Sequence, residues 1–362
     1  MINPLYLKTA YYIIISLIVL TVVIAQNSKN DYSVYKYSKF IVIILALTSI
    51  LFIGFRNTDI ITSFTADTPT YVYQYSTFSI GDIDTQEDSD LGFSVLMYIC
   101  KCLGVPVRLF LIICASIYII PLVFVSRKLS SKYAYLIMIM FVTGFSFFNS
   151  GANIMRNGMA LSLLWLSFIN YKKILPFSIY GICALLMHKS IILPLSAFIL
   201  ARLYTNHKLY MLIWLLAIPL SFVVKDLVSE IILSIDYVDD RAEYYFTHEA
   251  SLDQFSKVGF RYDFLIYGAV PIMVGGYFIF IKEFKDQFYN LLYATYLTAN
   301  AGWIVINEVP FSSRFAILSW FLLPLLIIYP FIFYSHINRR LTKISLTIIL
   351  HLGFTWIMLF SQ

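Results

Sequence analysis

The residues best suited to chemistry are arginines. Arg56, Arg108, Arg156, Arg241, Arg261 and Arg314 stand in or beside short polar stretches of an otherwise oily chain. A guanidinium presents a planar fork that binds phosphate oxygens in pairs, and it keeps its charge beside a low-dielectric boundary. The set therefore suits an anionic, phosphate-bearing group at a membrane surface, the alternative being headgroup contacts made by snorkelling side chains. Arg156 has the most telling company: Asn149, Asn153, Arg156 and Asn157 recur at helical spacing. Asparagines in an apolar helix need partners, so this stripe is expected to face a cavity rather than lipid. Arg314 follows Glu308-Val-Pro-Phe-Ser-Ser. There Pro310 breaks the helix and leaves Glu308 beside the arginine, either as a loop-holding ion pair or as part of a site.

His188 lies in Leu185-Leu-Met-His-Lys-Ser190, between two short apolar runs. A histidine in such surroundings is usually a hydrogen-bonded core residue, and Lys189 and Ser190 beside it add weight to the alternative, a proton carrier. Aromatic residues crowd the polar stretches: Tyr71, Tyr73, Tyr75 and Phe78 in one, Tyr237, Tyr244, Tyr245, Phe246 and Tyr262 in another. Aromatic faces next to carboxylates and amides suit sugar rings, and they equally suit the tyrosine belt of any membrane protein. There is no glycine-rich loop followed by Lys-Ser/Thr and no His-Glu-x-x-His. The four cysteines sit in apolar contexts without metal-ligand partners nearby. No metal, cofactor or nucleic acid is therefore expected, and any chemistry must draw on an activated substrate already present.

What positions these groups is a bilayer. The chain is 60% hydrophobic, 18% aromatic and 13% charged, against roughly 25% charged in a soluble domain. Apolar runs of about 20 residues, enough to span a ~30 Å hydrocarbon layer, recur along its length. We place spans near 5–25, 38–55, 109–126, 133–150, 153–170, 174–188, 190–204, 209–224, 262–281, 288–306, 315–334 and 344–360, about twelve helices with eleven as the near alternative. The pair 174–204 also reads as one kinked span plus a re-entrant piece. The first run is read as a retained helix, since cleaving it as a leader would strand the basic cluster Lys29 to Lys39. The fold class is thus an all-α polytopic membrane protein, a single transmembrane domain over 1–362.

Lysine and arginine in short loops mark the cytoplasmic side. The loops around Lys36, Arg127, Lys172, Arg202, Lys282 and Arg340 together carry 15 basic and 3 acidic residues, a net +12. The opposite side carries 11 basic and 17 acidic, a net −6, which places both termini outside. With this parity, Gly92 to Leu103 is too short to cross and is expected as an amphipathic or re-entrant helix on the external face. Residues 56–108 then form one extended external segment and 225–261 a second. The second opens on Asp226 to Ile235, whose Leu227, Val228, Ile231, Ile232 and Ile235 make an apolar stripe, the pattern of a helix lying in the interface.

Four places along the chain resemble the EpsG/Wzy family of bacterial polysaccharide polymerases. Phe55-Arg56 leads to Asp67-Thr-Pro-Thr-Tyr71-Val-Tyr-Gln-Tyr75, similar to an arginine followed by Asp-x-x-x-Tyr. Asp90-Leu-Gly92-Phe93 is similar to an acidic residue then Gly-Phe/Tyr, with Asp90 or Glu87 where glutamate is usual. Met155-Arg156-Asn157-Gly-Met-Ala160 precedes Leu186-Met-His188-Lys-Ser190 by about thirty residues, and Arg314 opens a late helix. The resemblance implies metal-independent glycosyl transfer between undecaprenyl-pyrophosphate-linked glycans at the periplasmic face of the inner membrane. A GT-C-like architecture is the matching expectation. In that reaction Arg156 and Arg314 would hold the pyrophosphate with Arg56 or Arg261 assisting, and His188 or Asp67 would orient or deprotonate the acceptor. Tyr71, Tyr75, Asn153, Asn157, Lys189, Arg241, Tyr244 and Glu308 complete the expected substrate contacts. The other expected partners are membrane lipids and a polysaccharide chain-length regulator. An O-antigen ligase or another polyprenyl-linked glycosyltransferase remains an alternative, as does a flippase for the same lipid-linked glycans. Against the flippase stand the absence of a convincing internal repeat and charges at the rim rather than mid-span.

Overall fold

A computed structural model describes residues 4–28, 35–56, 67–79, 90–233, 260–307 and 313–360. Every regular element among them is helical. In chain order they are α1 (Pro4–Asn27), α2 (Ser38–Gly54), α3 (Thr68–Thr77), α4 (Leu91–Cys102), α5 (Val107–Leu129), α6 (Ala134–Val142), α7 (Phe147–Ala152) and α8 (Met155–Phe168). There follow α9 (Ile174–Met187), α10 (Ile192–Leu203), α11 (His207–Leu233), α12 (Tyr262–Gly276), α13 (Gln287–Val305), α14 (Ser313–Trp320), α15 (Leu323–Phe333) and α16 (Arg340–Phe360). Five stretches among the described residues are long and apolar enough to cross a bilayer: Tyr6–Asn27, Val107–Leu129, Tyr262–Ile281, Arg314–Phe333 and Arg340–Phe360. The protein is a multi-pass, all-helical membrane protein.

Two expectations of the sequence need correction. The run 133–150 is not one helix: α6 stops at Val142 and α7 starts at Phe147. The start of the 225–261 segment is no separate interfacial helix, because α11 runs unbroken from His207 to Leu233. A change from apolar to amphipathic composition does not end a helix, and no glycine or proline stands between Val224 and Leu233 to end it. The short helix expected at 92–103 is present as α4. It closes on Gly104 at φ 65°, with the Gly104 N–H on the Lys101 carbonyl and the Val105 N–H on the Cys100 carbonyl (3.0 and 2.9 Å). That is a Schellman ending, whose left-handed residue glycine adopts without strain.

The helices form two compact units, Met1–Ile191 with Ser335–Ser361, and Ile192–Tyr334 with Gln362. In the first, the break after α6 leaves backbone carbonyls without helical donors, which lipid cannot satisfy. Side chains from α1 and α16 take over. Tyr11 donates to the Val142 carbonyl and Tyr12 to that of Gly144 (both 3.0 Å). His351 Nε2 donates to the Met140 carbonyl at 3.2 Å and Thr355 to that of Thr143 at 2.7 Å. Aromatic and hydroxyl side chains on two flanking helices thus do what a continuous helix would do for itself.

In the second unit, α13 is the central helix. Tyr289, Tyr293, Tyr296 and Asn300 follow one face at spacings of four, three and four residues. Each is buried and bonded. Tyr293 and Tyr296 reach carbonyls of α12, Ile272 at 3.1 Å and Gly268 at 2.8 Å. Asn300 accepts from the Trp214 indole at 2.8 Å and donates to Ser319 at 3.0 Å. Tyr289 donates to the Leu326 carbonyl at 2.9 Å, the acceptor that Pro330, four residues on and lacking an N–H, cannot bond.

Tyr289→Phe should therefore cost about 1–3 kcal/mol, the penalty for stranding a buried acceptor. Adding Pro330→Ala, which restores the helical N–H, should recover most of that loss. Unfolding of the two variants and the double variant by denaturant titration in micelles measures the coupling, and strict additivity would show that the two residues do not share the carbonyl.

Candidate functional site

The site is built where three helix ends of the first unit meet: the start of α4, the first turn of α8 and the end of α9. Asp90 is the residue before α4. Its backbone carbonyl accepts from the N–H groups of Phe93 and Ser94 (2.9 and 3.1 Å), as an N-cap should, yet its side chain does not cap the helix. An aspartate there would ordinarily turn its carboxylate onto its own helix. This one turns away because another chain segment lies against it. Gly92 makes that approach possible: a Cβ at this position would fall 2.9 Å from the carbonyl carbon and oxygen of Leu186. The first turn of α4 consequently rests against the backbone of the last turn of α9, where His188 and Lys189 leave the helix.

The Asp90 carboxylate joins three donors. Oδ2 receives Arg156 Nη1 at 2.8 Å and lies 2.9 Å from His188 Nδ1, while Oδ1 receives the Lys189 backbone N–H at 3.1 Å. Asp90 is only 5% exposed, against 10% for the Arg156 side chain and 25% for that of His188. The guanidinium carbon also lies 5.9 Å from the centre of the Phe93 ring. Burial pushes the Asp90 pKa up, but the bond and charge of His188, the charge of Arg156 and the Lys189 N–H together outweigh it and hold the carboxyl below its ordinary range. The group is an anion at neutral pH.

With Nδ1 engaged by a carboxylate the His188 ring is oriented, and in its neutral form the proton sits on Nδ1 and Nε2 is the acceptor, the tautomer being assigned from this contact. That is the arrangement of an oriented general base. Arg156 supplies positive charge beside it. Of the stripe partners of Arg156, Asn153 and Asn157 are also buried and Asn149 is half-buried. Asn153 donates to Asn149 at 2.6 Å and Asn157 lies 3.5 Å from Ser190 Oγ. The Oδ1 atoms of Asn153 and Asn157 have no hydrogen-bond partner among the described residues. Buried acceptors in this state suit hydroxyl or amide donors.

The other candidates are placed differently. Arg56 is 1% exposed and its fork is directed at protein: Nη1 to the Ile53 carbonyl at 2.7 Å, Nε to Thr68 Oγ1 at 3.0 Å and Nη2 to Met155 Sδ at 3.6 Å. Asp67 precedes α3 half-buried, with no side-chain cap bond. Tyr71 packs edge-on against Phe93, and Tyr75 stacks on Phe110 with ring centres 4.2 Å apart while its hydroxyl donates to the Val105 carbonyl. Both tyrosines are buried, and Tyr73 between them is the exposed ring of α3. Lys189 contributes its backbone N–H to Asp90. Arg261 and Arg314 belong to the second unit. There Arg261 makes a two-pronged pair with Asp263 (2.9 and 2.8 Å) and covers the Phe264 ring at 3.6 Å, and Arg314 sits half-buried in the first turn of α14. Arg241, Tyr244 and Glu308 lie outside the described residues.

The structure thus joins Arg156 to His188 through a residue that sequence reasoning had placed in a motif but not in the site. In the sequence Asp90 stands only as the acid before Gly92-Phe93, and Asp67 is the carboxylate that the resemblance offers for the acceptor. The available signal was the glycine two residues on: an acidic residue with Gly92 next to an apolar helix marks a place where another backbone comes close.

The EpsG family model matches residues 39–362. No curated protein and no solved structure matches. The matched region contains all three side chains joined at Asp90.

Replacing Asp90 by Asn should cost about 3–5 kcal/mol at neutral pH, because it removes one charge of a buried ion pair. The pH dependence has a defined sign. A carboxyl whose folded pKa lies below its unfolded value of about 3.9 contributes stability that is fully present above that value and lost as pH falls through the folded pKa. The gap between wild type and Asp90→Asn in denaturant titrations should hence shrink as pH falls below about 4.

Proposed function

The chain belongs to the EpsG family, and on that premise we propose that it is a polysaccharide polymerase of the bacterial inner membrane. It joins undecaprenyl-pyrophosphate-linked repeat units at the periplasmic face, without a metal, and releases undecaprenyl pyrophosphate. The proposal includes about twelve spans in a GT-C-like arrangement acting as one transmembrane domain, with the site open to the periplasm. Family membership supports the coarse activity. The observation that carries the detailed reading is the Asp90 carboxylate, 2.8 Å from Arg156 and 2.9 Å from His188.

In this reading the non-reducing-end hydroxyl of one repeat unit attacks the anomeric carbon of the growing chain. His188 Nε2 takes the hydroxyl proton as the new C–O bond forms, and the bond from the anomeric carbon to the pyrophosphate oxygen breaks with its electron pair on that oxygen. Arg156 stabilises the charge that develops there, in surroundings where a fixed cation is worth more than in water. Asp90 keeps the imidazole in the accepting tautomer and compensates the cation between turnovers. Its accessibility favours His188 over Asp90 as the group that meets substrate. The open acceptors of Asn153 and Asn157 suit sugar hydroxyls, and Arg314 is the second unit's candidate for the same anionic chemistry. A chain-length regulator and membrane lipids are the proposed partners.

With purified full-length protein in lipid nanodiscs and lipid-linked repeat units as substrate, His188→Ala should lower the polymerisation rate about 10²–10⁴-fold. Arg156→Ala should lower it about 10²–10³-fold. An Arg156→Ala protein that polymerises at the wild-type rate removes the centre of this mechanism. In cells, loss of function should accumulate single repeat units, whereas accumulation of long unligated chains would identify a ligase.

A further inference from the structure

We propose that Arg56 is a positioning residue that sets the site through the helix break preceding Arg156, and does not itself bind substrate. The inference rests on the polymerase reading for its kinetic consequences alone. Its structural content stands on the first unit's own bonds.

Arg156 is the second residue of α8, and α8 begins two residues after α7 ends at Ala152. The direction in which Arg156 points therefore depends on how the turn at Asn153 and Ile154 is held. Arg56 and Thr68 hold both sides of it. Thr68 Oγ1 donates to the Ala152 carbonyl at 3.1 Å, closing the end of α7, and accepts from Arg56 Nε at 3.0 Å. Arg56 Nη2 reaches the sulfur of Met155, the residue next to Arg156, at 3.6 Å. Nη1 anchors the same guanidinium to the end of α2 through the Ile53 carbonyl at 2.7 Å. One planar group thus fixes the ends of α2 and α7 and the beginnings of α3 and α8.

Such a task is specific to arginine. Three N–H vectors in one rigid plane meet a carbonyl, a hydroxyl and a sulfur in three directions, and a lysine ammonium on a flexible stem cannot reproduce that geometry. With 1% of its surface exposed, the guanidinium also offers no face to a pyrophosphate. Its effect on chemistry must pass through Arg156 and, across the ion pair, through Asp90 and His188. A shift of about 1 Å in a positioned charged group is enough to lower a rate about a hundredfold.

The test uses full-length protein in nanodiscs bearing Arg56→Lys, Thr68→Ser or Thr68→Val. Amide hydrogen exchange is followed over residues 152–158, together with polymerisation of lipid-linked repeat units. Arg56→Lys and Thr68→Val should speed exchange in this segment and lower kcat about ten- to hundredfold with KM within about threefold. Thr68→Ser, which keeps the hydroxyl, should restore both to near wild type. Unchanged exchange in Arg56→Lys overturns the proposal, as does a rise in KM at constant kcat, the mark of a direct substrate ligand. If the wild-type protein makes no polymer, the polymerase reading fails while the exchange arm still decides the role of Arg56.

Discussion

Everything at the candidate site depends on one carboxylate placed where its charge is costly to hold. Asp90 is nearly buried, and a lone carboxylate in that position would shed its charge. Three donors from two other elements prevent this: the Arg156 guanidinium, the His188 ring and the Lys189 N–H. The dependence runs both ways. Without Asp90, Arg156 would lose this counter-charge and His188 the contact that orients its ring. A buried ion pair of this kind is weak support for stability, since desolvation consumes most of the attraction. What it provides is orientation: each of three helix ends is fixed by contact with the same two oxygens.

Bringing three helix ends together within a membrane protein creates a second problem, because ends carry unpaired backbone groups and lipid offers none in return. The first unit solves it with side chains from elsewhere in the sequence. Tyr11, Tyr12, His351 and Thr355 close the carbonyls around the break after α6, and Thr68 closes Ala152 before α8. The second unit applies the same device to Pro330, through Tyr289. Several tyrosines that composition would assign to an interfacial belt are thus structural donors in the interior. They permit the broken helices on which the polar residues are mounted.

This explains what could be read from the sequence and what could not. The membrane class, the five long apolar spans and the short α4 were legible because length and hydropathy encode them directly. The stripe Asn153, Arg156, Asn157 and the polar setting of His188 were legible too, since polar residues in apolar helices are conspicuous. The break at Thr143–Ser146 was hidden because its stabilising partners lie more than a hundred residues away, at Tyr11 and His351. Asp90 was hidden for the opposite reason: its surroundings in sequence are rich in acids, and nothing local tells a buried carboxylate from its solvated neighbours. Tyr71 and Tyr75 had the composition of a sugar platform, but in α3 their spacing of four puts both on the face that packs against α4 and α5.

The two buried arginines of the first unit are separated by their partners rather than by their burial. The bonds of Arg56 go to a carbonyl, a hydroxyl and a thioether, neutral groups that fix direction but supply no counter-charge. Arg156 is bonded to a carboxylate shared with a histidine. A neutral-partnered arginine gains little from exchanging those bonds for a phosphate, because it would have to leave a geometry that all its partners enforce. An arginine paired to a shared carboxylate is differently placed. Its guanidinium already carries an anion, so in the proposed reaction a second anionic group would meet a cation whose direction is set by Asp90, the same residue that orients the His188 ring. The arginine and the histidine are joined through one carboxylate oxygen, and the residue between them has to be an acid.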